Sequence, residues 1–450
     1  MDDTIVAIST ALGVGAISII RLSGQDSIEI VNRCFKGKDL NKVESHTINY
    51  GYIYDKNELI DEVLVSIMKA PKTYTKEDIV EINCHGGIIS TNRILETMLN
   101  NGARLAEPGE FTKRAFLNGR IDLIESESVM DIIDSKSEEA RQLALISLKG
   151  NTTKLVQKFR NDLKQLISQI EVNIDYPEYY DIEVVTLKNI KEKLSDMKKS
   201  LDNLIKESIN IIPIKNGIKT VILGKPNVGK SSILNKLLNE DKAIVTNIAG
   251  TTRDIVEGEI NLDGIILNMI DTAGIRKTNN KIESIGVEKS ISLIDEADLV
   301  LVVLNNNEKL SEEDKEILEK TKDKNRIIII NKKDLKQKLE IPNNITNIVE
   351  TSTIEENGVE TLKNKIKELF KTEKIKTKDY TYLTSSRQIS IAKQARNYLD
   401  QVEEALEKEM PIDIIEIDLK NAFDKLGEIT GDSYTEEIID NLFENFCVGK

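Results

Sequence analysis

Residues 224–231 have the types and spacing that bind a phosphate group. They read Gly-Lys-Pro-Asn-Val-Gly-Lys-Ser, which matches the pattern G-x-x-x-x-G-K-[ST]. The run 220–223 before them predicts a strand, and residues 231–238 after them predict the start of a helix. In that context the glycines let backbone N–H groups converge on phosphate oxygens, aided by the partial positive charge of the helix N-terminus. Lys230 would contact the outer phosphates, and the Ser231 hydroxyl would bind Mg²⁺.

A second motif predicts which base accompanies the phosphates. Asn331-Lys332-Lys333-Asp334 follows the apolar run 326–330, which predicts a buried parallel strand. In an Asn-Lys-x-Asp motif the aspartate accepts two hydrogen bonds from the guanine edge, which adenine cannot supply. Losing such a paired contact is heavily penalised, so Asp334 predicts GTP rather than ATP.

Two further segments lie between these motifs in the order of an ordinary, unpermuted GTPase. Residues 271–274 read Asp-Thr-Ala-Gly, in which Asp271 would hold Mg²⁺ through water and the Gly274 N–H would sense the γ-phosphate. Residues 250–254 read Gly-Thr-Thr-Arg-Asp and occupy the place of the first switch loop, with Thr252 as the second Mg²⁺ ligand. Residues 351–353, Thr-Ser-Thr, are a weak match for a base-sensing loop, because Ser-Ala is the commoner start there.

The residue after the Asp-x-x-Gly motif departs from the Ras-type pattern. Ras-type enzymes carry a glutamine there that orients the attacking water, whereas this chain has Ile275, which cannot hydrogen-bond water. Either hydrolysis is very slow, or another group positions the water. Asn227 and the Thr-rich switch offer oxygens for a monovalent cation in the place of an arginine finger. Glu283 is the available acid, although from position alone a solvated charge is the commoner role.

The elements that must position these motifs are strands and helices in distinct parts of the chain. Toward the N-terminus, period-two apolar runs predict strands and longer apolar periods predict helices. The predicted strands are 47–54, 62–68 and 78–83, and residues 5–21 are predicted to be strand material broken by Gly13 and Gly15. The predicted helices are 27–34 and 90–100. This part of the chain is therefore expected to be a mixed α/β domain.

Helical periodicity brackets the nucleotide motifs. Apolar residues recur every three or four positions in the following stripes: 155–170, 187–204, 388–406 and 438–446. Helices on both sides of a compact α/β segment predict an insertion, since domain termini usually lie close together. The expected domains are 1–118 (N-terminal α/β), 119–215 (helical, first part), 216–375 (inserted GTPase) and 376–450 (helical, second part). The predicted fold class is α/β plus α.

Composition narrows the class of protein. The 450 residues carry a formal net charge of −14, which argues against a basic coat for bulk nucleic-acid binding. Three cysteines and two histidines argue against a disulfide framework and leave little for a zinc site. The apolar run 5–20 follows acidic residues and is short for a membrane span, so we expect no membrane segment and a cytoplasmic location.

Together the motifs resemble the MnmE (TrmE) family of tRNA-modification GTPases, and the resemblance spans the whole chain. Besides the phosphate loop, the matching segments are 3–7 (Asp-Thr-Ile-Val-Ala), 20–24 (Ile-Arg-Leu-Ser-Gly), 85–87 (His-Gly-Gly), 108–118 (beginning Pro-Gly-Glu-Phe), 248–254 (Ile-Ala-Gly-Thr-Thr-Arg-Asp), 271–276 (Asp-Thr-Ala-Gly-Ile-Arg) and 446–450 (Phe-Cys-Val-Gly-Lys).

The resemblance implies a homodimer joined through the N-terminal domain. With an FAD-dependent partner, MnmG (GidA), the family adds an aminomethyl or carboxymethylaminomethyl group to carbon 5 of the wobble uridine of certain tRNAs. The one-carbon unit comes from 5-formyl- or methylene-tetrahydrofolate bound to the N-terminal domain. By position, the folate contacts are Arg21, Glu81, Arg120 and Lys450. Cations suit a glutamate tail, and a carboxylate pairs with the amino groups of a pterin.

For the GTPase, the resemblance implies a K⁺ site and a water-activating acid. The K⁺ ligands would be Asn227, Thr246, the Ile248 carbonyl and Thr251, and the residues active in hydrolysis would be Glu283, Lys230 and Thr252. The implied nucleotide contacts are Asn227, Val228, Gly229, Lys230, Ser231, Ser232, Thr246, Asn247, Ile248, Ala249, Gly250, Thr251, Thr252, Asp271, Thr272, Ala273, Gly274, Asn331, Lys332 and Asp334.

Two other functions stay open at this point. The chain could be a regulatory GTPase in ribosome assembly, or a structural dimerisation module with a degenerate nucleotide site, although the intact Lys230, Ser231, Asp271 and Asp334 speak against the latter. Cys447 could be a nucleophile near the folate, but a free cysteine beside apolar residues is more often simply packed.

Overall fold

The computed structural model describes residues 3–175, 180–240, 258–262, 264–270, 293–342, 345–355, 357–370 and 381–449. The chain forms two compact units, one of Met1–Met130 with Phe423–Lys450 and one of Asp131–Ala422. The predicted fold class, α/β plus α, is confirmed, since both units combine a sheet with helices. These units do not follow the four predicted domain boundaries, which stay a prediction.

The first unit is built on a seven-stranded sheet in the order β3-β4-β5-β6-β2-β1-β7. Neighbouring strands are antiparallel except β1 and β7, which are parallel. The strands are β1 (Ile5–Ile8), β2 (Ile17–Ser23), β3 (Phe35–Lys36), β4 (Thr47–Asp55), β5 (Glu58–Met68), β6 (Ile79–His85) and β7 (Arg104–Leu105). The predicted strands 47–54, 62–68 and 78–83 are present as β4, β5 and β6, and the predicted strand material in 5–21 forms β1 and most of β2.

Alternate residues of these strands point to opposite faces, so one face of the sheet packs on helices. Val63, Val65 and Ile67 of β5 are buried in a core that also takes residues from α1 and α2. The helices of this unit are α1 (Ser27–Cys34), α2 (Ile88–Asn100), α3 (Glu110–Leu117), α4 (Leu123–Asp134), which continues into the second unit, and α13 (Glu436–Phe443). The C-terminal helix thus belongs to the same unit as the N-terminal sheet.

The second unit contains a six-stranded sheet in the order β13-β12-β11-β8-β10-β9, parallel except for β9. Its strands are β8 (Ile218–Leu223), β9 (Glu259–Leu262), β10 (Ile265–Met269), β11 (Leu299–Asn305), β12 (Arg326–Asn331) and β13 (Ile348–Thr351). In β12 the side chains of Ile327 and Ile329 join one core cluster and those of Ile328 and Ile330 join the other. A strand covered on both faces needs this continuous apolar run, which the sequence shows.

Helices complete the second unit. They are α5 (Glu138–Leu148), α6 (Asn151–Asp175), α7 (Tyr180–Asn216), α8 (Lys230–Glu240), α9 (Glu312–Lys320), α10 (Glu360–Leu369), α11 (Ser386–Glu407) and α12 (Ile412–Thr430), which continues into the first unit. The predicted stripes are buried, for example Leu163 and Ile170 in α6 and Leu399 in α11. Arg396 and Asp202 join α11 to α7 with an ion pair of 2.8 Å. Among the helices of the described residues, none has the length and apolar character of a membrane span.

Candidate functional site

The phosphate loop connects the end of β8 to the start of α8, as the sequence predicts. Its first glycine, Gly224, has φ +146°, and a Cβ there would lie 2.4 Å from the Val303 carbonyl oxygen. Gly229 has φ +103°, and a Cβ there would lie 2.1 Å from Nδ2 of Asn331. Both positions require glycine, so the loop presents backbone rather than side chains, as a phosphate cradle must.

Lys230 lies against this loop. Its Nζ donates to the carbonyl oxygens of Gly224 at 2.6 Å and Lys225 at 2.7 Å. Ser231 and Ser232 follow in the first turn of α8, where the helix N-terminus favours anions. The cation, the hydroxyl and the helix end therefore meet where the motif predicts phosphates and Mg²⁺.

Asn331 joins the predicted guanine-binding segment to the phosphate loop. It ends β12 and is buried, and its Nδ2 donates to the Val228 carbonyl oxygen at 2.8 Å. The Thr351 hydroxyl of β13 donates to Oδ1 of the same asparagine at 3.2 Å. Both ends of the Asn331 side-chain amide are therefore hydrogen-bonded, and they connect β12 to the phosphate loop and to β13.

Asp334, the predicted guanine contact, is exposed, and one oxygen of its carboxylate accepts a hydrogen bond from within the protein. The buried Ser352 hydroxyl donates to its Oδ1 at 2.7 Å. Lys332 has φ +64° and donates from Nζ to the Asn227 carbonyl oxygen at 3.0 Å. The weakly matching segment 351–353 therefore supplies two hydroxyls that orient the motif, which the sequence alone signalled only by position.

Several predicted site residues lie outside the described residues. They are Thr246, Asn247, Ile248, Ala249, Gly250, Thr251, Thr252, Asp271, Thr272, Ala273, Gly274, Glu283 and Lys450, together with Ile275. Their assignments to nucleotide, Mg²⁺, K⁺, water activation and folate stay predictions.

A second cluster of predicted residues lies in the first unit. Arg21 of β2 and Glu81 of β6 are cross-strand partners, and Nε of Arg21 donates to Oε1 of Glu81 at 2.8 Å. The Gly449 carbonyl oxygen accepts from Arg21 at 3.5 Å and from the Ser9 hydroxyl at 3.2 Å. The C-terminal tail therefore reaches the predicted folate contacts through backbone that directly precedes Lys450.

Two aromatic rings accompany the predicted cations. The Arg21 guanidinium lies 5.8 Å from the centroid of the Phe111 ring, and the Arg120 guanidinium lies 4.7 Å from that of Tyr74. Tyr74 packs against the core cluster that contains Phe111. Sequence reasoning missed both rings, although Phe111 belongs to the matching segment 108–118.

A buried ionic network holds the turn that receives the tail. Arg114 is fully buried and pairs with Asp3 at 2.7 Å and with Glu110 at 3.0 Å. Burial acts to raise the pKa of Glu110, but hydrogen bonds from Arg104 and Arg114 outweigh it and the pKa is lowered. The adjacent Gly109 N–H donates to the Cys447 carbonyl oxygen at 3.3 Å. A buried charge is tolerated only when it is paired with an opposite charge, as Arg114 is here. The ion pairs therefore hold the segment around Gly109, to which the C-terminal tail is hydrogen-bonded.

A phosphate loop and a guanine-binding motif joined on a parallel sheet define the class of P-loop GTPases. The family model described as MnmE helical domain matches residues 123–447, and the one described as GTP-binding protein TrmE N-terminus matches residues 4–120. The chain belongs to the MnmE (TrmE) family of tRNA modification GTPases.

Individual relatives agree with this assignment. The tRNA modification GTPase MnmE of Ligilactobacillus salivarius (strain UCC118) is 52% identical over 457 residues, covering 100% of this chain and 98% of the relative. The protein of that name from Bacillus cytotoxicus is 50% identical over 455 residues, covering 100% and 99%. Among solved structures, the FeoB G-domain from Methanococcus jannaschii matches 34% of this chain and 98% of that chain, at 25% identity and a TM-score of 0.25, too low for a conclusion.

The family prediction is thus confirmed, and with it the prediction of an enzyme. The protein is a GTP-hydrolysing enzyme that acts in tRNA modification and binds GTP with Mg²⁺. The family assignment decides against the degenerate structural module and favours tRNA modification over a role confined to ribosome assembly.

Proposed function

We propose that this GTPase, together with the FAD-dependent MnmG (GidA), adds an aminomethyl or carboxymethylaminomethyl group to carbon 5 of the wobble uridine of certain tRNAs. The one-carbon unit would come from 5-formyl- or methylene-tetrahydrofolate. One observation carries the proposal: in this member of the family, Arg21 hydrogen-bonds both Glu81 and the carbonyl oxygen of Gly449, near the C-terminus. The location of the reaction would be the cytoplasm, where tRNA is modified.

The chemistry of this cluster suits a folate. Glu81 offers a carboxylate that can accept from the amino groups of a pterin, while Arg21 and Arg120 offer cations for a glutamate tail. Phe111 and Tyr74 add apolar ring surface beside those cations. Lys450 would follow Gly449 into the same place. The residues present therefore fit the proposed ligand in charge and in apolar surface.

Folate binding can be measured directly on the purified protein by calorimetry with 5-formyltetrahydrofolate. Arg21→Met removes the guanidinium and should weaken binding about tenfold, the value of one charge-assisted contact. Arg33→Met is the matched control, since Arg33 pairs with Glu29 on the exposed side of α1. Equal binding by parent and both variants would exclude Arg21 from the folate site.

For hydrolysis we propose that K⁺ binds Asn227, Thr246, the Ile248 carbonyl and Thr251, with Mg²⁺ on Ser231 and Thr252. Asn227 supports this because its backbone has φ +64° and its carbonyl is tied to Lys332, which fixes where its side chain begins. Glu283 would activate the water in place of the missing glutamine.

A homodimer through the first unit is supported by the outer face of its sheet. Ile48 and Tyr50 of β4 and Leu64 of β5 are 69%, 56% and 46% exposed, and Tyr50 is the cross-strand partner of Leu64. Exposed apolar patches of this kind mark protein interfaces. Leu64→Glu should produce monomers in sedimentation velocity, whereas Leu117→Glu, with the same charge on α3, should not.

The full proposal is tested by nucleoside analysis of bulk tRNA. Cells lacking this protein should lose the modified wobble uridine, and the parent gene should restore it. Restoration should fail with Arg21→Met at low folate and succeed with Arg33→Met. Normal tRNA together with a ribosome-assembly defect would support the alternative role instead.

A further inference from the structure

Lys225 is the second residue of the phosphate loop, a position at which the motif accepts any residue. Its side chain is nevertheless only 16% exposed. Nζ lies 2.9 Å from Oδ2 of Asp314 and 3.5 Å from Oε2 of Glu308. A long cationic side chain in a loop normally extends into solvent, so this burial needs a reason.

Ser311 holds the Asp314 side chain in place independently of Lys225. It lies in the first turn of α9, where its Oδ2 accepts from the Ser311 N–H at 3.0 Å and from the Ser311 hydroxyl at 2.8 Å. The Asp314 N–H donates back to the Ser311 hydroxyl oxygen at 3.3 Å, which completes a capping box. The Asp314 side chain is 4% exposed, so the carboxylate is a rigid and nearly dry anchor.

Lys225 keeps its positive charge in this environment. Burial acts to lower the pKa of Lys225, but the hydrogen bond and the charge of Asp314 outweigh it, so that the pKa is raised. Removing Lys225 would leave the Asp314 charge buried without this counterpart, which is costly. Removing the Asp314 charge would leave Lys225 with only Glu308 as an acidic partner among the described residues, at 3.5 Å.

The backbone of Lys225 ties this anchor to the phosphate site. Its carbonyl oxygen accepts from Nζ of Lys230, and the preceding Gly224 leaves no room for a Cβ, which would lie 2.4 Å from the Val303 carbonyl oxygen of β11. The second half of the loop is held by Asn331 on the Val228 carbonyl and by Lys332 on the Asn227 carbonyl. In the first half, the ion pair of Lys225 with Asp314 links the loop to α9, in addition to the hydrogen bonds that Lys230 donates to the Gly224 and Lys225 carbonyl oxygens.

We propose that Lys225 is a positioning residue for GTP and GDP, which acts by anchoring the first half of the phosphate loop to Asp314 of α9. It does not touch the phosphates. It keeps the backbone in the conformation whose N–H groups receive them, so that binding does not have to order the loop first.

The test is Lys225→Met in the full-length protein, which keeps most of the apolar length of the side chain and removes its charge. The Kd for GDP and the KM for GTP should each rise about tenfold, the value of one buried charge-assisted contact. The effect on kcat at saturating GTP should be smaller than twofold, because the loop acts in binding. Lys225→Arg should recover most of the affinity, and Lys315→Met, which breaks the exposed pair of Lys315 with Glu312 on α9, should change neither constant.

Asp314→Asn provides an independent route in case Lys225→Met folds poorly. It should raise the same Kd and KM, and the double variant should add little to either single change, since both remove one contact. Circular dichroism and the unfolding temperature identify variants that have lost their fold. A folded Lys225→Met or Asp314→Asn protein with Kd within twofold of the parent would overturn the proposal. So would a double variant whose losses are simply additive.

Discussion

The side-chain amide of Asn331 donates a 2.8 Å hydrogen bond to the carbonyl oxygen of Val228 and accepts one from Thr351. This buried contact joins the predicted guanine-binding segment to the phosphate loop, beside the more exposed contact of Lys332 with the Asn227 carbonyl oxygen. We therefore expect a change in one of these two segments to alter nucleotide binding by the other.

Asn331→Ala tests this coupling. It leaves the Val228 carbonyl and the Thr351 hydroxyl buried without a hydrogen-bond partner. Each polar group left unpaired in this way lowers the stability of the fold by about 1–3 kcal/mol. We expect a GDP Kd at least about tenfold higher and an unfolding temperature several degrees lower. Asn325→Ala, at the exposed residue directly before β12, is the control and should change neither. Unchanged GDP affinity in Asn331→Ala would show that the two motifs are positioned independently.

The proposed K⁺ site predicts a dependence on the alkali ion. Hydrolysis should be faster in K⁺ than in Na⁺ at equal ionic strength, because only an ion of the right size can coordinate the oxygens of Asn227 and the switch. Phosphate release measured in the two salts decides the matter, with choline chloride as the third arm. Equal turnover in K⁺ and Na⁺ would remove the K⁺ assignment.

Glu283→Ala should separate binding from hydrolysis. If Glu283 activates the water, kcat falls by about a hundredfold or more, the range of a general base, while GDP and GTP affinity stay near the parent values. Glu313→Ala, an exposed acid in the first turn of α9, is the control and should keep full turnover. Unchanged turnover in the Glu283 variant would mean that another group handles the water.

The three cysteines should react with iodoacetamide at very different rates. Cys447 is exposed, whereas Cys34 and Cys84 are buried. Burial raises the pKa of Cys34 to about 11 and also raises that of Cys84. At pH 8 about one Cys34 in a thousand is then a thiolate, so Cys447 should be labelled first in mass spectra. If Cys34 were labelled as fast as Cys447 in the folded protein, the burial of α1 would be wrong. Loss of tRNA modification on labelling Cys447 alone would support its role as a nucleophile.

His85 should titrate above the ordinary value of 6.5, because its Nδ1 lies 2.7 Å from Oδ1 of Asp61. A raised folded pKa means that the pair stabilises the fold fully below pH 6.5, and that this contribution is lost as pH rises through the folded pKa. Proton NMR of the ring measures the titration, and a His46→Gln variant assigns it. Asp61→Asn should move the midpoint down, and a midpoint that stays in place would show that Asp61 is not the cause.

The features of this protein that could be predicted from its sequence are local ones: single strands and helices, and motifs contained in one continuous segment. The apolar run of β12 and the stripes of α6 and α11 are set by periodicity, because burial on one or both faces requires apolar residues at fixed spacing. The nucleotide motifs were readable for the same reason, since a strand, a glycine turn and a helix start are contiguous in the chain. The family followed from those contiguous segments.

What the tertiary structure decided were contacts between residues distant in sequence. No periodic pattern in the sequence predicts that Lys225 pairs with Asp314, that Ser352 hydrogen-bonds Asp334, or that Gly449 lies beside Arg21 and Ser9. Each of these contacts joins the ends of elements whose relative placement depends on the packing of a whole sheet. A single hydrogen bond or ion pair leaves no repeating pattern in the sequence, so only the folded chain could show it.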